Sequence, residues 1–151
     1  MSEYQAAVAL ASLDCWHKTR SVFSNITKHY QDRITSKATL SILPSPEDNH
    51  VTSSIMLESK TPLPQGFDER LLENGIETRR WWGKGLHAQI LNRKIQSTSL
   101  TQTKQLAESC IGLPCFPGIT TSEIDYVVDN ILRELRWPLA IWGKAIAVSY
   151  T

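Results

Sequence analysis

Residues 113–132, LPCFPGITTSEIDYVVDNIL, decide the fold because they contain the best-defined helix start in the chain. Thr120 and Glu123 form a T-x-x-E capping box, in which each side chain satisfies a backbone donor at the start of a helix. The residues that follow are apolar at steps of three and four, which predicts an amphipathic helix with one buried face. This apolar face consists of Ile124, Val127, Val128, Ile131, Leu132 and Leu135. Pro117 and Gly118 separate the helix from a short extended segment over residues 112–116.

A second capping box lies near the N-terminus, where Ser2 is followed three residues later by Gln5. Apolar residues then recur every three or four positions, which predicts one long helix ending at about Arg33. These residues are Ala6, Leu10, Leu13, Trp16, Phe23, Ile26 and Tyr30. A helix of this length would expose much of the apolar stripe if it stood alone, so we expect the stripe to have a partner surface.

The sequence between these two helices predicts a small sheet and short covering helices. Proline and glycine residues separate the elements, with a turn at Leu43–Asn49 and a long loop at Gly83–Ser99. The predicted elements are strands at His50–Leu57 and Ile76–Trp82 and helices at Phe67–Asn74 and Thr101–Ile111. This order predicts an α+β fold, in which a small sheet of about three strands is covered by helices and a long helix comes first.

The composition is that of an ordinary globular domain, and it excludes some classes of partner. The chain has 151 residues, 41% hydrophobic and 21% charged, which is enough for one domain with a core. Its net charge of +1 provides no electrostatic attraction to nucleic acid or to an anionic membrane. The longest apolar stretch, Trp137–Tyr150, is interrupted by Pro138 and Lys144 and is shorter than the ~20 residues that cross a bilayer. We therefore expect neither a nucleic-acid nor a membrane partner.

The cysteines and histidines predict a reduced, cytoplasmic protein without a metal site. Cys15, Cys110 and Cys115 form no CxxC pair and are odd in number, and no secretory signal opens the chain. No basic cluster surrounds these cysteines, so they are interpreted as small buried side chains and not as nucleophiles. His17 and His29 lie on one predicted helix but too far apart to bind the same metal ion.

Three sequence blocks, taken together and in order, resemble the C-terminal third of the nucleotide-sugar aminotransferases of the DegT type. The blocks are MSEYQAAVALASL at Met1–Leu13, ENGIETRRWWGKGLH at Glu73–His87 and LPCFPGITTSEIDYVVDNIL at Leu113–Leu132. The family patterns they resemble are M-S-E-x-Q-A-A-x-x-L, G-I-x-T-R-x-aromatic followed by a histidine, and L-P-x-x-P-G-L-T-x-x-E. The resemblance predicts a C-terminal small domain at residues 1–135 and leaves residues 136–151 as a tail of unknown role.

The resemblance implies a pyridoxal-phosphate-dependent enzyme of fold type I, usually a homodimer, that transfers an amino group from glutamate to a nucleotide-linked ketosugar. In this family a lysine forms a Schiff base with the cofactor. That lysine lies upstream of the block resembled by Met1–Leu13, and no lysine here has its sequence context. We therefore expect no catalytic residue and no cofactor held by this chain alone, with the cofactor domain on missing upstream sequence or on a split partner chain. The alternatives are a non-catalytic remnant that acts as a binding or interaction module, and a nucleotide-sugar binder without chemistry.

The candidate binding residues are Arg79, Trp81, Trp82, Lys84 and His87. Tryptophan rings could stack on a sugar or a base while the cations meet its diphosphate, and the resemblance implies that this loop lies near the substrate's sugar. The structural alternative places Trp82 in the core and Trp81 over a helix, with the cations merely solvated. The residues alone leave both interpretations open.

Overall fold

A computed structural model describes residues 1–45, 51–81, 83–89 and 98–145, with side chains up to Arg136. In these residues five α-helices accompany a three-stranded antiparallel sheet, so the predicted α+β fold is confirmed. The helices are α1 (Glu3–Asp14), α2 (Trp16–Ile34), α3 (Phe67–Glu73), α4 (Thr101–Ser109) and α5 (Thr121–Ala145). The strands are β1 (Leu40–Leu43), β2 (Ile55–Ser59) and β3 (Cys110–Leu113). No helix in the described ranges is both long enough and apolar enough to cross a membrane.

The N-terminal helix is divided in two, which the apolar spacing did not predict. The capping box is present, with the Gln5 N–H donating to Ser2 Oγ over 3.3 Å and the Ser2 N–H donating to Gln5 Oε1 over 2.9 Å. However, α1 ends at Asp14 and α2 begins at Trp16. The reason lies in packing, because α2 buries side chains in the core whereas α1 has no buried residue.

The sheet has the order β1-β2-β3, so β2 lies in its centre. In the register, Leu57 of β2 stands opposite Ile42 of β1 and Ile111 of β3, and all three side chains are buried. β1 was not predicted, and β2 begins and ends later than the predicted strand His50–Leu57, of which His50 lies outside the described residues. The predicted strand Ile76–Trp82 is wrong over its described part, where only Arg79 forms an isolated bridge to β3.

The other helices follow the prediction closely at their starts. α3 begins at Phe67 as predicted, and Gly75 behind it has a positive φ of 74°, a conformation that favours glycine after a helix. α4 ends before residues 110 and 111, which enter β3 instead. At the start of α5, the Thr120 N–H donates to Glu123 Oε2 over 2.7 Å and the Glu123 N–H donates to Thr120 Oγ1 over 3.2 Å. The helix then continues through residue 135 into the predicted tail.

The core lies between the inner face of the sheet and helices α2, α3 and α5. Its most deeply buried side chains are Tyr30, Ile34, Ile55, Leu57, Phe67, Leu71, Ile111, Ile124, Val128 and Ile131. Each of these side chains stabilises the fold by about 1.5–3 kcal/mol when removed from water. The Tyr30 hydroxyl also donates a hydrogen bond to the Pro114 carbonyl over 2.9 Å. The core therefore fixes the residues directly after β3, which form one wall of the candidate site.

α1 carries a large apolar surface that the described part of the chain does not cover. Tyr4, Val8, Leu10, Leu13 and the adjacent Trp16 of α2 are all exposed. A helix that is apolar around its circumference is typically buried in the assembled protein. The partner surface predicted for the stripe is present for its α2 half, where Ile26 and Tyr30 are buried in the core, and is absent from the described residues only for its α1 half.

Candidate functional site

A short extended segment, Glu77–Trp81, lies along the free edge of β3. The Arg79 N–H donates to the Gly112 carbonyl over 3.1 Å, and the Gly112 N–H donates to the Arg79 carbonyl over 2.7 Å. A Cβ atom on Gly112 would lie 2.8 Å from Nε1 of Trp81, which is closer than real contacts allow. Glycine at position 112 therefore allows the Trp81 indole to lie directly against the strand.

The side chain of Arg80 is held by two helices. Its Nε and Nη2 donate to Asp68 Oδ2 and Oδ1 over 2.7 and 2.9 Å, a bidentate pair with the first turn of α3. Its Nη1 donates to the Ala107 carbonyl near the end of α4 over 3.0 Å. The hydrogen bonds to Asp68 raise the pKa of Arg80 above its ordinary value. The guanidinium group is therefore a fixed anchor between α3 and α4.

A cleft of about 660 Å³ opens between this segment and the start of α5. Arg79 and Trp81 line one wall, and Phe116 and Tyr126 are among the residues of the opposite wall. The three aromatic residues are 46%, 50% and 52% exposed, so their rings are available for a flat ligand to stack on. The Tyr126 hydroxyl donates to the Asn74 carbonyl over 3.2 Å, which orients this ring.

The charges around the cleft are predominantly negative. Glu77, Glu123 and Arg79 are its charged lining residues. The hydrogen bond from the Thr120 N–H lowers the pKa of Glu123, so this carboxylate is ionised at neutral pH. All three side chains are solvent-exposed, so water screens their charges, and they would act on a ligand mainly as hydrogen-bonding groups: the two carboxylates can accept from hydroxyl groups and Arg79 can donate to an anionic group.

Cys115 also lines the cleft, but it is a poor candidate for a nucleophile. Burial raises the pKa of its thiol to about 11, so the side chain stays protonated at neutral pH. Among the described residues, no group of His, Cys, Asp and Glu side chains could hold a metal ion. His29 instead forms a 2.9 Å contact between its Nε2 and Asp125 Oδ1. Among the described residues that line the cleft, none is placed for covalent chemistry, whereas several offer stacking surfaces and hydrogen-bonding groups.

Pyridoxal phosphate does not fit the described residues. A Schiff base requires a lysine in an enclosed site. Among the described lysines, none lines the cleft and none is buried. The described part of the chain therefore provides no attachment point for this cofactor.

The structure brings two of the five predicted binding residues together. Arg79 and Trp81 line the cleft, whereas Lys84 and His87 do not. Lys84 is exposed, and His87 is partly buried in the single-turn 3-10 helix Leu86–Ala88. A Cβ atom added to Gly85 would lie 2.9 Å from Nδ1 of His87, so the His87 ring lies against the backbone of Gly85, two residues before it. Trp82 lies outside the described residues.

Phe116 and Tyr126 were not predicted as site residues. Phe116 lies between Cys115 and Pro117 in the segment PCFPG. This segment has neither helical nor strand periodicity, so no sequence pattern indicates that Phe116 is exposed. Tyr126 lies next to the apolar face of α5 but outside it, and a lone aromatic residue on the polar side of a helix is the signal that could have identified it.

Comparisons with known proteins place the chain among aminotransferases. The sequence model of the DegT/DnrJ/EryC1/StrS aminotransferase family matches residues 1–132. Among curated proteins, none matches this sequence significantly. The match covers all three sequence blocks.

Several solved structures share this fold. DesI, solved in the presence of its TDP-sugar product, is 21% identical with a TM-score of 0.76, covering 95% of this chain and 38% of DesI. The aminotransferase TlmJ from Streptoalloteichus hindustanus is 17% identical with a TM-score of 0.72, covering 88% of this chain and 36% of TlmJ. PseC from Helicobacter pylori, an aminotransferase involved in the biosynthesis of pseudoaminic acid, is 14% identical with a TM-score of 0.68, covering 91% of this chain and 38% of PseC. At these identities the likeness shows the fold, and this chain spans little more than a third of each protein.

Proposed function

Because the chain belongs to the DegT/DnrJ/EryC1/StrS aminotransferase family, we propose that it is the C-terminal, substrate-side part of a pyridoxal-phosphate-dependent sugar aminotransferase. The enzyme would transfer an amino group from glutamate to a nucleotide-linked ketosugar. The single observation that supports this role best is the cleft between Trp81 and Tyr126, which combines stacking surfaces with carboxylates. The cofactor and its lysine belong to the part of the aminotransferase fold that this chain does not contain.

The nucleotide sugar would bind with its hexose ring inside the cleft. Trp81, Phe116 and Tyr126 offer aromatic faces, and Glu77 and Glu123 offer acceptors for sugar hydroxyl groups. The diphosphate would pair with the exposed guanidinium group of Arg79. Lys84, His87 and Trp82 follow on the same stretch of chain and are proposed to contact the nucleotide side of the substrate.

The exposed apolar surface of α1 supports the proposed partner. Relatives of the same fold have nearly two thirds of their length outside the part matched by this chain. The remaining aminotransferase fold, with its cofactor, would cover Leu10, Leu13 and Trp16 and exclude water from them. We propose that the assembled enzyme is a homodimer in the cytoplasm, in keeping with three unpaired cysteines and the family.

On this proposal the isolated chain has no transaminase activity. Incubation with pyridoxal phosphate, followed by borohydride reduction and peptide mass spectrometry, tests this directly. The expected result is only weak, non-saturating modification spread over exposed lysines. A saturable adduct at one lysine, with the absorbance band of an internal Schiff base, would contradict the proposal.

Binding is tested separately by thermal unfolding in the presence of dTDP-glucose, a readily available nucleotide-linked hexose. A ligand that binds only the folded chain raises its melting temperature by mass action. The wild-type chain should show this increase, and Trp81→Ala should not. Equal increases for both proteins, or none for the wild type at millimolar ligand, would exclude the cleft as the binding site.

The alternative is a non-catalytic interaction module, and the exposed apolar face of α1 favours it as well. The neighbouring DNA discriminates between the two functions. An upstream reading frame for a lysine-bearing cofactor domain supports the aminotransferase, and coexpression of both products should then yield a stable complex. A chain that stays separate from that product would support the alternative.

A further inference from the structure

We propose that Arg80, through its ion pair with Asp68, is the positioning residue that sets Trp81 and Arg79 in the cleft wall. This proposal rests on the proposed binding of a nucleotide sugar in the cleft. Arg80 does not line that cleft and acts only through its two neighbours in sequence.

The wall segment has few other attachments. Within the described residues, a single bridge of two backbone hydrogen bonds joins it to β3. Gly75 before it and Gly83 after it have φ values of 74° and 54°, and an added Cβ on either residue would have no neighbour within 4 Å. The N-terminal end of the segment is held by the core, because Ile76 is 3% exposed and its N–H donates to the Leu71 carbonyl over 2.9 Å, whereas beyond Arg79 the described residues give the end at Trp81 no backbone hydrogen bond to the core. An additional anchor is needed to hold the Trp81 ring in one place.

The Arg80 side chain meets the requirements for such an anchor. Its three hydrogen bonds reach two different helices, α3 through Asp68 and α4 through the Ala107 carbonyl. The side chains of Arg80 and Asp68 are 28% and 33% exposed. By contrast, the Arg79–Glu77 pair at 3.8 Å is 70% and 77% exposed, and such pairs contribute little. The anchor of the segment is therefore Arg80 and not Arg79.

The geometry also explains why the residue is arginine. Only a guanidinium group presents enough donors, in a planar fork, to bind both oxygens of Asp68 and a third acceptor. A lysine at position 80 would keep the charge but could not make the bidentate contact and reach Ala107 simultaneously. Arg80→Lys is therefore a specific test of positioning, because the charge is unchanged.

The test uses ¹⁹F NMR on the whole chain labelled with 5-fluorotryptophan, which places one fluorine on each of its five tryptophans. Trp81→Phe identifies the Trp81 signal. In the absence of ligand, Arg80→Lys and Asp68→Asn should shift or broaden this signal. The matched control is Arg70→Lys. Arg70 lies on α3, as Asp68 does, and its Nε donates to Glu134 over 2.6 Å; its side chain is 28% exposed, the same fraction as that of Arg80. This control should leave the Trp81 signal in place even if it lowers the melting temperature.

Affinity for dTDP-glucose provides the second readout. When only a fraction of molecules holds the binding-competent conformation, the apparent Kd rises in inverse proportion, and we expect about a five- to tenfold increase in both Arg80→Lys and Asp68→Asn. The Arg70→Lys control should bind as the wild type does. If Arg80→Lys does not fold, Asp68→Asn alone decides, because it preserves the size of the side chain.

The two readouts separate the two proposals. An unchanged Trp81 signal in both Arg80→Lys and Asp68→Asn overturns the positioning role, as does an equal shift in Arg70→Lys. If the wild-type chain does not bind dTDP-glucose, the binding function fails. Even if the wild-type chain does not bind, a Trp81 signal that is displaced by Arg80→Lys and Asp68→Asn but not by Arg70→Lys would support Arg80 as the residue that positions the cleft wall.

Discussion

The substitution Gly112→Ala tests whether the wall of the cleft depends on close contact between Trp81 and β3. An alanine Cβ would lie 2.8 Å from Trp81 Nε1 and 3.1 Å from the Arg79 carbonyl oxygen. Gly112 is the one glycine with described side-chain surroundings that does not have a positive φ, so its backbone would accept alanine. Any loss of stability therefore comes from the contact and not from backbone strain.

The size of the stability loss depends on whether the Trp81 indole and the Arg79 carbonyl can move away from the added Cβ. The Trp81 indole is half exposed and can rotate away, but the Arg79 carbonyl accepts the Gly112 N–H over 2.7 Å and cannot retreat without lengthening this bond. Weakening both bonds of the bridge costs about 1–2 kcal/mol, at ~1 kcal/mol for each hydrogen bond. The lower chain entropy of alanine returns about 0.5–1 kcal/mol. We expect a net loss of about 0–1.5 kcal/mol in the free energy of unfolding, together with displacement of Trp81.

Urea unfolding followed by circular dichroism measures the stability, and the ¹⁹F signal of Trp81 measures the displacement. Cys110→Ala is the matched control, because residues 110 and 112 share one face of β3 and Cys110 is only partly buried. The control should leave the Trp81 signal in place. An unaltered Trp81 signal and unaltered stability in Gly112→Ala would refute the contact and, with it, the shape of the cleft wall.

Three further predictions concern the core, the cysteines and α1. Tyr30→Phe should lower the free energy of unfolding in urea by about 1–2 kcal/mol, because it leaves the Pro114 carbonyl without its donor; a loss below ~0.5 kcal/mol would contradict that hydrogen bond. Iodoacetamide at pH 8 should alkylate the exposed Cys15 well before Cys115, whose pKa is raised to about 11 by burial, as peptide mass spectrometry would detect. Between about pH 8.5, the ordinary pKa of a cysteine, and pH 11, the Cys115 thiol keeps its proton in the folded chain but loses it in the unfolded chain. Its contribution to stability is therefore complete below about pH 8.5 and is lost as the pH rises toward 11. Leu13→Glu should reduce binding of the dye ANS without lowering the melting temperature, since the side chain is 65% exposed; a clear decrease in melting temperature would show that α1 is packed within the chain.

The sequence was sufficient for the elements whose signals are local. The T-x-x-E box and the apolar face of α5 are satisfied within the helix itself, so its start was predicted correctly. The break at Cys15 has no such local signal, because it depends on α1 having no core to pack against in this chain. β1 was missed for a related reason, since its four residues become a strand only through pairing with β2.

The candidate site could be predicted only in part. The paired tryptophans and the neighbouring cations marked residues 79–87, and Arg79 and Trp81 do line the cleft. The other wall, with Phe116 and Tyr126, comes from residues about 40 positions later, and their approach depends on how α5 packs on the core. Of the predicted strand Ile76–Trp82, the described residues form only one β-bridge, at Arg79. The hydrogen bonds of the Arg80 side chain, and not strand pairing, hold this segment in position.

The most direct test of the proposed binding site is to locate the bound nucleotide sugar on the chain. In a titration with dTDP-glucose, a backbone-assigned ¹⁵N spectrum should show saturable shifts at Arg79, Trp81, Phe116 and Tyr126, with little change on α1. These shifts should follow a single binding curve and disappear in Trp81→Ala. No saturable shift at these four residues, or shifts confined to α1, would contradict the claim that this chain carries the sugar side of an aminotransferase site.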